Sequence, residues 1–133
     1  MRKYLYLIIL LATIISCTDK KEQNLGNTIY VSIEPLRYFA EQIGGDKFNV
    51  KSLVRHGSSP ETYEPTAEQI AELSKCCMYI KVGNLGFEQT WLKRIMKNAP
   101  HTIINSASEG ISEVNSANGI PDPHTWMSTT NAA

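Results

Sequence analysis

The sequence predicts an α/β fold, a single lobe built on a four-stranded parallel sheet flanked by helices. Two observations carry this. Four short runs rich in β-branched and aromatic residues alternate with three segments whose apolar residues recur at helical spacing. One of those runs, Cys77–Val82, is nearly continuous in apolar residues, as expected of a parallel strand covered on both faces. The chain has 133 residues, 42% hydrophobic and 20% charged, which suits one globular domain and not two full-sized ones.

The elements follow in order. Thr28–Ile33 (TIYVSI) is predicted as the first strand. Pro35 suits the first turn of a helix, and Leu36, Phe39, Ala40 and Ile43 fall on one helical face. Gly44-Gly45 stops that helix, and Phe48–Val54 is the second predicted strand. His56–Pro65 (HGSSPETYEP) has the Gly and Pro of a loop. Thr66 and Gln69 have the spacing of a capping box, ahead of a helix carrying Ile70, Ala71 and Leu73. After the third strand, Gly83–Gly86 is a turn. Phe87, Trp91 and Ile95, with Leu92 and Met96 beside them, form the next amphipathic face, which Pro100 ends. Thr102–Ile104 is a short fourth strand. A Ser/Asn/Gly-rich connector over 106–121 leads to Asp122-Pro123-His124-Thr125-Trp126-Met127.

The first 16 residues have a different character. Arg2 and Lys3 precede an apolar run, Tyr4–Ile15, of 12 residues. A spanning helix needs about 20, so the run is predicted as the core of a signal peptide over 1–16. Ile14-Ile15-Ser16-Cys17 resembles a bacterial lipobox, which implies lipidation of Cys17 and a polar tether over 17–27. Cys76 and Cys77 are neighbours that cannot easily bridge each other, and are expected to be small packing side chains.

Thirteen basic and 13 acidic side chains balance, so bulk charge gives no indication of a nucleic-acid partner. No phosphate-binding glycine loop, nucleophile elbow or His-Glu-x-x-His motif occurs, and no enzyme is expected. Metal-type residues gather in two places: His56, Glu61 and Glu64 in the first loop, and Asp122 and His124 near the end. Imidazole and carboxylate suit Zn²⁺ or Mn²⁺ better than Cu(I). In a parallel sheet, ligands bind beyond the carboxyl ends of the strands. The loop follows the second strand and the Asp-Pro-His segment follows the fourth, so both are expected at one edge.

Gly44-Gly45-Asp46, Gly57-Ser58-Ser59-Pro60-Glu61-Thr62-Tyr63-Glu64-Pro65, Gly83-Asn84-Leu85-Gly86-Phe87-Glu88 and Asp122-Pro123-His124-Thr125-Trp126, in that order, resemble the solute-binding lipoproteins of zinc and manganese ABC importers. The resemblance implies half of a two-lobe metal-receptor fold. It comprises an N-terminal lobe over 28–105, the connector over 106–121, and a metal-ligand segment over 122–133 that begins the inter-lobe helix. The second lobe is then absent from the sequence. It implies metal ligation by His124 and, where the family has a histidine, by Glu61; His56 is a weaker candidate ligand. It further implies Zn²⁺ (or Mn²⁺) as the bound ion, an ABC permease as partner, and a lipid anchor on the non-cytoplasmic side of a bacterial membrane. The family's zinc members often carry a His-rich loop, but 106–121 contains no His. Two other classes remain open: a small lipid-anchored metal-dependent hydrolase using His124, and a surface adhesion module.

Overall fold

The computed structural model describes residues 26–112, 115, 118–119 and 121–131. The predicted signal peptide, Cys17 and most of the tether lie outside the described residues. Among the described residues, four strands and three α-helices alternate: β1 (Thr28–Val31), α1 (Glu34–Gly44), β2 (Asn49–Ser52), α2 (Ala67–Leu73), β3 (Met78–Lys81), α3 (Gly86–Asn98) and β4 (Ile103–Ser106). The sheet is wholly parallel, in the order β2-β1-β3-β4. The chain leaves β1 toward one side and then crosses back to the other. The carboxyl ends of β1 and β3 therefore flank the topological switch point, where open α/β sheets form crevices.

The strands are shorter than their apolar runs. Pairing nevertheless continues past them. Ser32 donates to the Ile80 carbonyl at 3.0 Å, Leu53 to Val31 at 2.8 Å, and Val54 to Ser32 at 3.0 Å. Beyond β4, Ala107 donates to the Lys81 carbonyl at 2.8 Å and Ser108 to Val82 at 3.2 Å. β4 itself runs two residues beyond Ile104, into the segment expected as connector. Its Asn105 and Ser106 pair with Ile80 and Lys81 through the backbone, which needs no apolar side chain. These extensions carry the chain in step to the carboxyl edge.

Side chains alternate across the sheet. Tyr30 and Tyr79 lie side by side in register on one face. There Tyr30 donates to Glu72 of α2 at 2.5 Å, beside Lys51, whose ammonium stands 3.1 Å from Glu72. Tyr79, Phe87, Leu53, Leu73 and Ile95 are fully buried in the core. Cys76 is buried with them, and burial pushes its thiol up. The half-buried Cys77 thiol donates to the Thr28 carbonyl at 3.2 Å. Both cysteines are free, and Cys76 packs as expected.

Three apolar residues expected on buried helix faces lie outside: Ile43 is 88% exposed, Met96 is 47% exposed, and Ala71 is exposed. Ile43 sits in the last turn of α1, and with Phe48, Met78, Ile80 and Ile103 it lines an apolar groove on the other face of the sheet. α1 packs against β1 and β2, and Ile43 lies at the groove's edge toward β3 and β4. Met96 lies one residue past Ile95, on the shoulder of the buried stripe of α3.

Candidate metal centre

The loop 56–65 is folded over the start of α3. Tyr63 meets Phe87 edge to face, ring centres 6.1 Å apart, and its hydroxyl donates to Gln69 Oε1 at 2.9 Å. Gln69 closes the capping box with Thr66, and its amide donates to the Leu53 carbonyl at 2.8 Å. The aromatic ring and the helix cap thus pin the loop from its carboxyl side. At the apex, the Pro60 carbonyl accepts from Phe87 N at 3.4 Å, and Glu61 Oε2 accepts from Gly86 N at 3.2 Å. Glu61 is exposed and stands at the positive end of a 13-residue helix, where a carboxylate is favoured. A Cβ on residue 86 would lie 2.7 Å from the Glu61 carbonyl oxygen, so only glycine permits this approach.

His124 is held by its own neighbours. Asp122 Oδ1 stands 2.6 Å from His124 Nδ1 and also accepts the His124 backbone N–H at 3.0 Å. That backbone bond, and then the ring, hold the Asp122 carboxyl below its usual range. With Nδ1 engaged by a carboxylate, Nε2 is left as the free lone pair, the arrangement found in carboxylate–histidine–metal sites. The ring leans on Trp126, centroids 5.2 Å apart. Trp126 sits in a 3₁₀ turn (Thr125–Met127) and packs half-buried against the core, beside Leu36, Phe39, Val82 and Ala107, at a cavity of about 310 Å³. Met127, in the same turn, is 73% exposed.

Both segments therefore reach the carboxyl edge of the sheet, on either side of the β3–α3 turn. Glu61 touches Gly86 just after the turn, and Trp126 lines the same cavity as Val82, just before it. His56 is exposed in the turn Arg55–Ser58. Among the described residues, no group of three or more His, Cys, Asp or Glu side chains could hold a metal ion.

Glu88 occupies the first turn of α3, yet it is 1% exposed. Its carboxylate accepts from the backbone N–H of Val82 at 2.7 Å, Gly83 at 2.8 Å and Leu85 at 3.4 Å, and from the Ser32 hydroxyl. Tyr79 hydroxyl lies 2.7 Å from Ser32 Oγ. Burial pushes the Tyr79 hydroxyl far up, so it stays protonated, donating to Ser32 while Ser32 donates to Glu88. The available signal was Ser32, a hydroxyl inside an apolar strand.

A profile described as zinc-uptake complex component A, periplasmic, matches residues 29–133. The chain is 27% identical over 150 aligned positions to the manganese ABC transporter substrate-binding lipoprotein scaA of Streptococcus gordonii, covering 98% of this chain and 47% of that one. It is 32% identical over 99 positions to the iron ABC transporter substrate-binding lipoprotein MtsA of Streptococcus pyogenes serotype M1, covering 67% and 32%. A crystal structure of ZnuA superposes with a TM-score of 0.73 at 39% identity, over 79% of this chain and 41% of that one. The chain spans about a third to a half of the length of these relatives.

Proposed function

Because the chain belongs to the zinc-uptake complex component A family, we propose that it is a metal-capturing lobe of an ABC importer's substrate-binding lipoprotein. Its cargo is Zn²⁺, with Mn²⁺ as the alternative. Two side chains carry the ligation, His124 through Nε2 and Glu61 through Oε1; His56, the weaker candidate, does not complete a group of three with them. The observation that supports this most is the pairing of each candidate ligand with an orienting partner that leaves a donor atom free. Asp122 engages Nδ1 of His124, and the Gly86 N–H engages Oε2 of Glu61. An imidazole and a carboxylate form a borderline donor set that suits Zn²⁺ and admits the harder Mn²⁺. A transport receptor must hold and release its ion. Reversible ligation by few side chains meets that need, so the role proposed is capture and release of the ion.

The lobe over 28–105, the connector over 106–121 and the ligand segment over 122–133 follow the family's plan. A lipid on Cys17 anchors the protein outside the cytoplasm, and the permease receives the ion. Two ligands leave water in the remaining positions of a four-coordinate ion. The chain by itself is therefore expected to bind Zn²⁺ no tighter than about micromolar, or roughly −8 kcal/mol. Isothermal titration of the chain and of His124→Ala with zinc chloride tests the reading. Loss of the remaining affinity in the variant supports it, and equal affinity refutes it.

A further inference from the structure

Glu88 is a buried carboxylate that no ligand role uses. It lies where the carboxyl ends of β1 and β3 part, and it bridges them: Ser32 extends β1, and Val82 and Gly83 extend β3. The turn it fills is tightly made. Gly83 has φ 139, and a Cβ there would fall 2.3 Å from Ser108 Oγ. The Leu85 N–H on Glu88 sets the last residue before α3, and Gly86 is the next in the chain. The Gly86 N–H then meets Glu61 Oε2, and the Phe87 N–H meets the Pro60 carbonyl.

We propose that Glu88 is a positioning residue for the metal centre, fixing the β3–α3 turn so that the Gly86 N–H holds Glu61 with its second oxygen free. The proposal rests on the reading of Glu61 as a ligand. Glu88 touches neither metal nor ligand, and its influence passes through one backbone N–H. A ligand held by an outer partner characteristically loses ten- to a hundred-fold in affinity when that partner is removed. Glutamine at 88 keeps the size of the side chain, but turns an amide N–H₂ toward backbone donors that need an acceptor. The turn then relaxes and Glu61 loses its alignment.

The test is a double-mutant cycle on Zn²⁺ affinity, measured by isothermal titration with zinc chloride on the full chain in mild detergent. The variants are Glu88→Gln, Glu61→Gln and the two together. Each single variant is expected to bind about tenfold more weakly. The double variant is expected to bind no more weakly than Glu61→Gln alone, because the route runs through Glu61. A purely structural Glu88 would give the product of the two losses, and that result overturns the proposal. Unchanged affinity in Glu61→Gln removes the ligand itself, and the proposal falls with it by a result that the cycle separates from additivity. Thermal melts accompany each titration. Should Glu88→Gln not fold, Glu88→Asp keeps the carboxylate, shortens its reach by one methylene, and enters the same cycle with the same two outcomes.

Discussion

Glu61 and His124 reach the same edge of the sheet, but their supports differ. Glu61 is held from within. Its partner N–H belongs to Gly86, whose turn is tied by Glu88 to Ser32 and Tyr79 in the core. His124 is held from beside. Asp122, two residues away, supplies the contact to its ring, and Trp126, two residues on, anchors the segment. The first support is made of contacts between residues distant in the chain, and Ser32 and Glu88 are 56 residues apart. The second spans five residues. A core-tied side chain is set by folding, while a locally tied one keeps its geometry even when the surrounding lobe loosens. The proposed capture site, built from one of each, would have a rigid wall and a self-contained arm.

The comparison can be broken most forcefully at Glu88. Glu88→Leu would strand the Ser32 hydroxyl and the N–H groups of Val82 and Gly83 without acceptors. Each stranded group costs about 1–3 kcal/mol, so a loss of about 3 kcal/mol or more is expected in urea unfolding. Next is Trp126→Ala. Removing a half-buried indole from beside Leu36, Val82 and Ala107 should cost about 1–2 kcal/mol by the same measurement. It frees the arm while the Asp122–His124 contact survives.

Asp122→Asn sharpens the contrast from the other side. Its contact with the ring is exposed, so the melting temperature should not move. Zinc affinity should fall about tenfold, since an amide orients the ring less firmly than a carboxylate. An equal drop in melting temperature would show that the arm is tied to the core after all.

The smallest effect is expected away from both supports. Tyr30 lies on β1, two residues before Ser32, but faces Glu72. The Tyr30 hydroxyl, and then Lys51, hold the Glu72 carboxyl below its ordinary value. A depressed carboxyl stabilises the fold above its unfolded pKa, and that contribution is lost as pH falls through the lowered folded value. Tyr30→Phe removes the largest cause, so the Glu72 carboxyl should titrate at higher pH by NMR. Zinc affinity should stay as it was.

The two supports also explain what the sequence disclosed. The arm was legible because its parts are adjacent. Asp-Pro-His followed by Trp places a carboxylate two residues before an imidazole, and the pair forms wherever the chain turns there. The alternation of strands and helices was legible for the same reason, since periodicity is local. The capping box at Thr66 and Gln69 formed as its spacing required. The Glu88 network was not legible. A Glu in the first helical turn is an ordinary surface residue until tertiary packing closes Ser32 over it. Ile43 failed in the opposite sense. Its spacing put it on the apolar face of α1, but it stands 88% exposed beside a groove that no other described element fills. Burial is decided by which elements lie opposite, and that is not written in any one window.

The most direct test of the account follows the imidazole nitrogens by ¹⁵N NMR as Zn²⁺ is added to the chain. Its three histidines are His56, His101 and His124. Coordination should move Nε2 of His124 while its Nδ1 keeps the signature of a proton shared with Asp122, and His101 should stay unchanged. A zinc-dependent shift at Nδ1 of His124, or none at His124 at all, would contradict a site built on the Asp122-oriented ring.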